Sequence, residues 1–134
     1  MTPDGHYIYA VDFDGTLIHG NKWPDVDGEV DTELIKYLIR EQKQGAKIIL
    51  NTCRTGEALQ DAVVLCMAYG LEFDAVNENL PEMIKAYGSD CRKISADRYI
   101  DDKAINPDGV SWSFFNDFNM SIIKSLVSNE GGDK

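Results

Sequence analysis

A chain of 134 residues is sized for one compact domain able to bury a core without disulfides or a structural metal. Its 43% hydrophobic and 27% charged residues are a globular mixture, and no apolar run approaches the roughly 18 residues of a membrane helix. The segment Met1 to His6 lacks the character of a signal peptide, so a cytoplasmic protein without a membrane partner is expected. A formal charge of −10 disfavours a nucleic-acid polymer as partner. Three cysteines, Cys53, Cys66 and Cys91, show no metal-type spacing and fit free thiols better than a disulfide framework or a zinc site.

In chain order, Tyr7 to Val11 is a short apolar run that ends in Asp12-Phe-Asp-Gly-Thr16, the pattern of a buried strand delivering acids into a loop. From Asp31 the period changes. Leu34, Ile35, Leu38 and Ile39 form one helical face, Asp31 or Thr32 can cap it, and Gly45 suits the left-handed position past its end. Ala46 to Asn51 predicts a second buried strand, followed by the loop Thr52 to Gly56. A second helix then turns Leu59, Ala62, Val63 and Cys66 inward and closes at Gly70. Phe73 to Val76 is a third strand, Pro81 opens a short third helix, and Arg98 to Asp101 is a fourth strand that again ends in acids. A weak fifth strand at Val110 to Trp112 and an amphipathic helix carrying Phe118, Ile122, Ile123 and Leu126 complete the pattern, with residues 129–134 as a frayed tail. Without repeats or linkers, residues 1–134 read as a single α/β domain with a three-layer, doubly wound, Rossmann-like and mostly parallel sheet. Ligands of such sheets sit beyond the carboxyl ends of the strands.

That edge is where the polar residues gather. Asp12 and Asp14 follow the first strand, Thr52 and Arg54 the second, Asp101 and Asp102 the fourth, and Lys93 precedes the fourth. Four carboxylates brought together repel one another, and a hard divalent cation with oxygen ligands relieves the repulsion, which suits Mg²⁺. Magnesium takes one or two carboxylates together with phosphate oxygens, so a phosphorylated ligand is expected to complete the site. A carboxylate held in line with such a phosphorus can form an aspartyl-phosphate, the role expected of Asp12.

In these residues the chain resembles the haloacid dehalogenase superfamily of phosphatases. The likeness runs through DFDGTL at 12–17, the apolar strand ending in Thr52, then Lys93, and YIDD at 99–102. It implies that Asp12 is the nucleophile and that Asp14 acts as general acid and then base. It further implies that Thr52 binds a phosphoryl oxygen, that Lys93 neutralises charge and orients Asp12, and that Mg²⁺ is held by Asp12, Asp101 and the Asp14 main-chain oxygen. Asp at position 14 is the phosphatase form of the motif. The intervals between motifs hold only a helix or two of the core, so the chain resembles a capless member of the group.

Other positions keep two readings. Asp102 either binds the metal directly or supports its ligands and the following turn. Arg54 either recognises a substrate phosphate or carboxylate bidentately or is a solvated loop charge. Gly15 opens the 15–28 stretch that the resemblance assigns to a flap over the site, and it counts with Arg54, Trp23 and Asn77 as a substrate-binding candidate. Trp23 either stacks on a substrate ring or packs beside Pro24, and Asn77 either reads polar groups of a substrate or serves a turn. The expected function is Mg²⁺-dependent hydrolysis of a phosphorylated small molecule, with a homo-oligomer one way to enclose an open site. A nucleotidase or nucleic-acid end phosphatase is the alternative within enzymes. A receiver-like phosphoacceptor or Mg²⁺-binding module is the alternative outside them.

Overall fold

The computed structural model describes residues 1–90 and 93–102. The strand expected at Val110 to Trp112, the C-terminal helix through Phe118 and Leu126, and the 129–134 tail lie outside the described residues. The described part is an α/β structure whose main sheet has four strands: β1 (Ile8–Val11), β4 (Lys47–Leu50), β5 (Ala75–Val76) and β6 (Arg98–Ile100). Their order is β5-β4-β1-β6 and every pairing is parallel. Three helices, α1 (Thr32–Lys43), α2 (Gly56–Ala68) and α3 (Pro81–Tyr87), connect them.

Apart from Lys47 at the start of β4, the central strands β1 and β4 are buried along their length because both of their faces are covered. Tyr9, Val11, Ile48 and Leu50 share one buried cluster with Leu34, Leu38, Ala62 and Cys66 of α1 and α2. The alternate residues Ile8 and Ile49 share another with Ala75, Leu80 and Met83, the last from α3. Strand period 2 thus sorts neighbouring side chains to opposite helices.

Local signals set the helix ends. Asp31 caps α1 by accepting from the Leu34 amide at 3.0 Å, and Gly45, at φ +106°, takes the left-handed position beyond the helix. Pro81 begins α3, where a missing N–H costs nothing. Thr55 occupies the N-cap of α2 without a side-chain bond to it. The third strand is shorter than Phe73 to Val76, because Asp74 turns its carboxylate to the Ile48 amide (2.7 Å) and the Gln42 amide (3.0 Å).

The flap region carries a feature absent from the sequence reading. Residues Ile18–His19 (β2) and Glu29–Val30 (β3) form a small antiparallel ribbon, Ile18 opposite Val30 and His19 opposite Glu29. Ile18 is fully buried, which roots the ribbon in the core while residues 20–28 loop outward. No helix among the described residues is long and apolar enough to cross a membrane.

Asp31 joins ribbon and helix, since its second oxygen lies 3.3 Å from His19 Nε2. Replacing it, as Asp31→Ala, is expected to cost about 1 kcal/mol of stability, the usual worth of an N-cap. Urea unfolding followed by circular dichroism measures this, and an unchanged midpoint would show that the cap contributes nothing.

Candidate active site

Parallel register builds the site. Val11 pairs with Leu50 on one side and with Ile100 on the other, and Leu50 pairs with Val76. The ladder runs one step further, with Asp12 N donating to Ile100 O, Asn51 N to Val11 O and Asn77 N to Leu50 O. Four strands therefore end level, and the residues that follow them share one edge.

On that edge Asp12, Asp101 and Asp102 approach closely enough for one carboxylate oxygen from each to lie within 4.8 Å of the others. Burial raises the Asp12 carboxyl most, the charges of Asp101, Asp102 and Asp14 add to it, and a bond from the Phe13 backbone opposes it, leaving the group pushed up to about 6. Three half-buried oxygen donors with this mutual repulsion could hold a metal ion, and hard cations prefer such donors. Asp102 is fixed from two sides. Its amide donates to Thr16 Oγ1 at 3.1 Å, and its carboxylate lies directly over the Gly15 Cα, where a Cβ would stand 2.2 Å from Oδ2. Gly15 is also at φ +81°. Its role in the motif is room and conformation.

Asp14 has a different environment. Its side chain is 32% exposed, and both oxygens are engaged: Arg54 Nε donates to Oδ2 at 2.9 Å, Arg54 Nη2 to Oδ1 at 2.8 Å, and Asn21 Nδ2 to Oδ1 at 3.1 Å. The Arg54 pair, more than any other contact, holds the Asp14 carboxyl below the usual carboxylate range, with Asn21 assisting. Arg54 itself has no exposed side-chain surface. Its Nη1 donates to the carbonyls of Pro24 (2.7 Å) and Ala58 (3.0 Å), and its Nη2 also reaches the Asp25 carbonyl (3.2 Å). The guanidinium lies between the Phe13 ring, 4.8 Å away, and the Trp23 ring, 4.9 Å away.

These contacts correct the expectation for Arg54. All five of its N–H groups have acceptors within the chain, so it is neither a solvated loop charge nor free to grip a substrate. Trp23 covers its outer face and is still 60% exposed. Asn77 is occupied at its side-chain oxygen, which accepts from the Thr52 amide at 2.8 Å, and it adopts φ 55°, a left-handed conformation that asparagine tolerates. Thr52 Oγ1 accepts from the Arg54 amide at 3.1 Å, shaping the loop that begins at the edge of the sheet. Lys93 is exposed, and among the described residues no salt bridge joins it to Asp12.

Asn21 escapes the sequence reading, whereas Asn79, which follows the third strand, carries there the same two readings as Asn77, a substrate's polar groups or a turn. Asn21 ties the flap to Asp14 and also to the Asp25 carbonyl at 2.8 Å. Asn79 is 2% exposed and organises the segment around Lys93, donating to Asp90 Oδ1 (2.9 Å) and the Lys93 carbonyl (3.2 Å) and accepting from the Ser95 amide (2.7 Å). Asparagine in a loop is read first as a turn former. Their side-chain partners, and for Asn79 its burial, separate these two from that reading.

The site belongs to a parallel α/β protein with acids at the carboxyl edge of its sheet, and a solved structure shares that architecture. It is the structure of a conserved protein from Bacteroides thetaiotaomicron, 31% identical to this chain, with 96% of this chain and 94% of that one covered and a TM-score of 0.69. The chain belongs to the same family as that protein. No protein-family model matches the chain, and no curated protein does.

Two predictions follow from the crowded acids. Gly15→Ala must displace the Asp102 carboxylate and strain a positive φ, so it is expected to destabilise by at least about 1 kcal/mol and to weaken divalent-cation binding in calorimetric titration. Unchanged affinity would remove Asp102 from the ligand set. The second concerns pH. The folded Asp12 holds its proton up to about 6, whereas the unfolded one releases it near 3.8. Between these values the folded state binds more protons, so this group's contribution to stability falls as pH rises. In chelator, the melting temperature of Asp12→Asn is expected to gain on that of the wild type as pH rises from 4 to 6, and a divalent cation at pH 7 to recover the wild-type deficit. A constant difference across that range would contradict the raised Asp12 carboxyl.

Proposed function

We propose that the chain is a Mg²⁺-dependent phosphomonoester hydrolase working through an aspartyl-phosphate on Asp12, built on a three-layer, doubly wound core without a cap domain. The observation that carries this reading is the approach of Asp12, Asp101 and Asp102 to within 4.8 Å at the carboxyl edge of a parallel sheet, in a chain whose motifs resemble those of haloacid dehalogenase phosphatases. Asp12, Asp101 and Asp102, with the Asp14 carbonyl, are the groups proposed to hold Mg²⁺. When bound, the cation supplies charge neutralisation to the carboxylates and to the phosphoryl oxygens.

In the proposed first step an Asp12 carboxylate oxygen attacks phosphorus, the bond from phosphorus to the substrate oxygen breaks, and that oxygen leaves with a proton from Asp14. In the second a water attacks phosphorus, gives its proton to Asp14, and the Asp12–phosphorus bond breaks to release inorganic phosphate. The Arg54 pair, which favours the ionised form of Asp14, suits it to the second step. Donating in the first requires the Arg54 pair to yield one of the two oxygens. Thr52 is proposed to bind a phosphoryl oxygen, and Lys93 to reach the phosphoryl group from the loop organised by Asn79.

The substrate is proposed to be a small phosphorylated molecule met in the cytoplasm, with self-association a further way to enclose the site. Trp23 gives one face to Arg54, which weakens the case for a nucleobase platform. The receiver-like alternative needs a phosphoacceptor beyond the third strand, and Asp74 instead serves the Ile48 amide at that strand's start.

Purified protein with Mg²⁺ is expected to release inorganic phosphate from at least one member of a broad phosphomonoester panel and to lose activity with chelator. Asp12→Asn should reduce turnover by about 1,000-fold or more, as loss of a nucleophile does. Silence across the panel, or full activity in Asp12→Asn, rejects the reading.

A further inference from the structure

We infer that Arg54 is a positioning residue that couples the 20–27 flap to Asp14, so that flap closure and the orientation of the proton-carrying carboxylate are one event. The inference concerns the proposed hydrolysis and rests on that reading for its kinetic half. Its structural half stands on geometry alone.

The guanidinium is a three-way junction. Nε and Nη2 face the two oxygens of Asp14 as a parallel fork, the arrangement that fixes a carboxylate in rotation as well as position. The remaining donors take the Pro24 and Asp25 carbonyls of the flap and the Ala58 carbonyl of α2. Phe13, from between the two motif acids, stacks on one side and Trp23, from the flap, on the other. Asn21 provides a parallel link, touching Asp14 and the Asp25 carbonyl with the same amide. An outward swing of residues 23–25 would break two charge-assisted bonds and uncover the stacked face, and the fork on Asp14 would lose its support. A buried, uncompensated arginine is costly, so the junction is either intact or lost as a unit.

Lysine cannot replace the fork, because one ammonium cannot meet both Asp14 oxygens and three carbonyls. Arg54→Lys and Arg54→Gln should therefore both loosen the flap. Amide hydrogen exchange, read without substrate, is expected to accelerate at residues 20–27 in each variant, with β1 and β4 unchanged. In Trp23→Ala, whose fold is safe because the side chain is largely exposed, the same amides should accelerate by a smaller factor. Unaltered flap exchange in all three overturns the coupling, whatever the enzyme's activity.

The kinetic half is a double-mutant cycle on whichever phosphomonoester the wild type hydrolyses. Arg54→Gln is expected to lower kcat on the order of 100-fold with little change in KM, and to add less than about threefold in an Asp14→Asn background, because residues acting as a unit are not additive. Equal losses in both backgrounds show that Arg54 acts other than through Asp14 and overturn the assignment. If Arg54→Gln does not fold, the cycle is run with Asn21→Ala, which removes the parallel link and should show the same non-additivity. A wild type without turnover rejects the hydrolase reading, and the exchange experiment then decides the coupling by itself.

Discussion

Negative charge gathered at one edge of the sheet is the constraint around which the chain is arranged. Parallel pairing brings Val11, Leu50, Val76 and Ile100 level, and the residues that follow include Asp12, Asp14, Asp101 and Asp102. Isolated in water these acids would ionise independently. Here burial, with the neighbouring acids adding to it, raises Asp12. A protein that keeps such a group must compensate it, by an internal cation or by one taken from solution.

The described structure divides the task. Asp14 is compensated from within: Arg54 meets both of its oxygens, and its guanidinium lies against the rings of Phe13 and of the flap's Trp23. Asp12, Asp101 and Asp102 bring one carboxylate oxygen each to within 4.8 Å of the others and could hold a metal ion. The division also separates functions on the proposed reading, with the converging acids serving metal and nucleophile and the clamped acid serving proton transfer. Gly15 stands between the two groups. It follows Asp14 in the chain, and its missing side chain leaves the room that Asp102 fills.

Much of this was legible because it depends on backbone pattern. Apolar runs ending in acids, a helical period from Leu34 to Ile39, Gly45 beyond the first helix and Pro81 at the start of the third each carry a local signal, and each element lies where that signal predicts. The convergence of strand ends follows from parallel topology, which alternating strands and helices imply. What escaped was set by contacts distant in sequence. Arg54 is forty positions from Asp14, and nothing near it distinguishes a buried, fully bonded arginine from an exposed one. The β2–β3 ribbon is two residues per strand, too short for a period to register. Asn21 resembles an ordinary turn residue until its partners are known, Asn79 keeps a turn and a substrate reading until its burial and partners are known, and Asp74 shortened a strand because its carboxylate found the Ile48 amide.

The clamp changes where specificity has to be sought. An arginine after the second strand is a natural candidate for a substrate's phosphate or carboxylate, and here its donors are consumed by Asp14, the flap and α2. On the proposed reading the positive charge that meets the phosphoryl group must then come from the bound cation and from Lys93, whose carbonyl accepts from Asn79 beside the Asp90 carboxylate and the Ser95 amide. The rest of the substrate meets the flap. Because the flap is fastened to the same guanidinium that orients Asp14, a substrate that pushes residues 23–25 aside disturbs the proton carrier as well. Selection by size would therefore act on turnover as much as on binding, with a loop of the core performing the discrimination for which other folds use a separate domain.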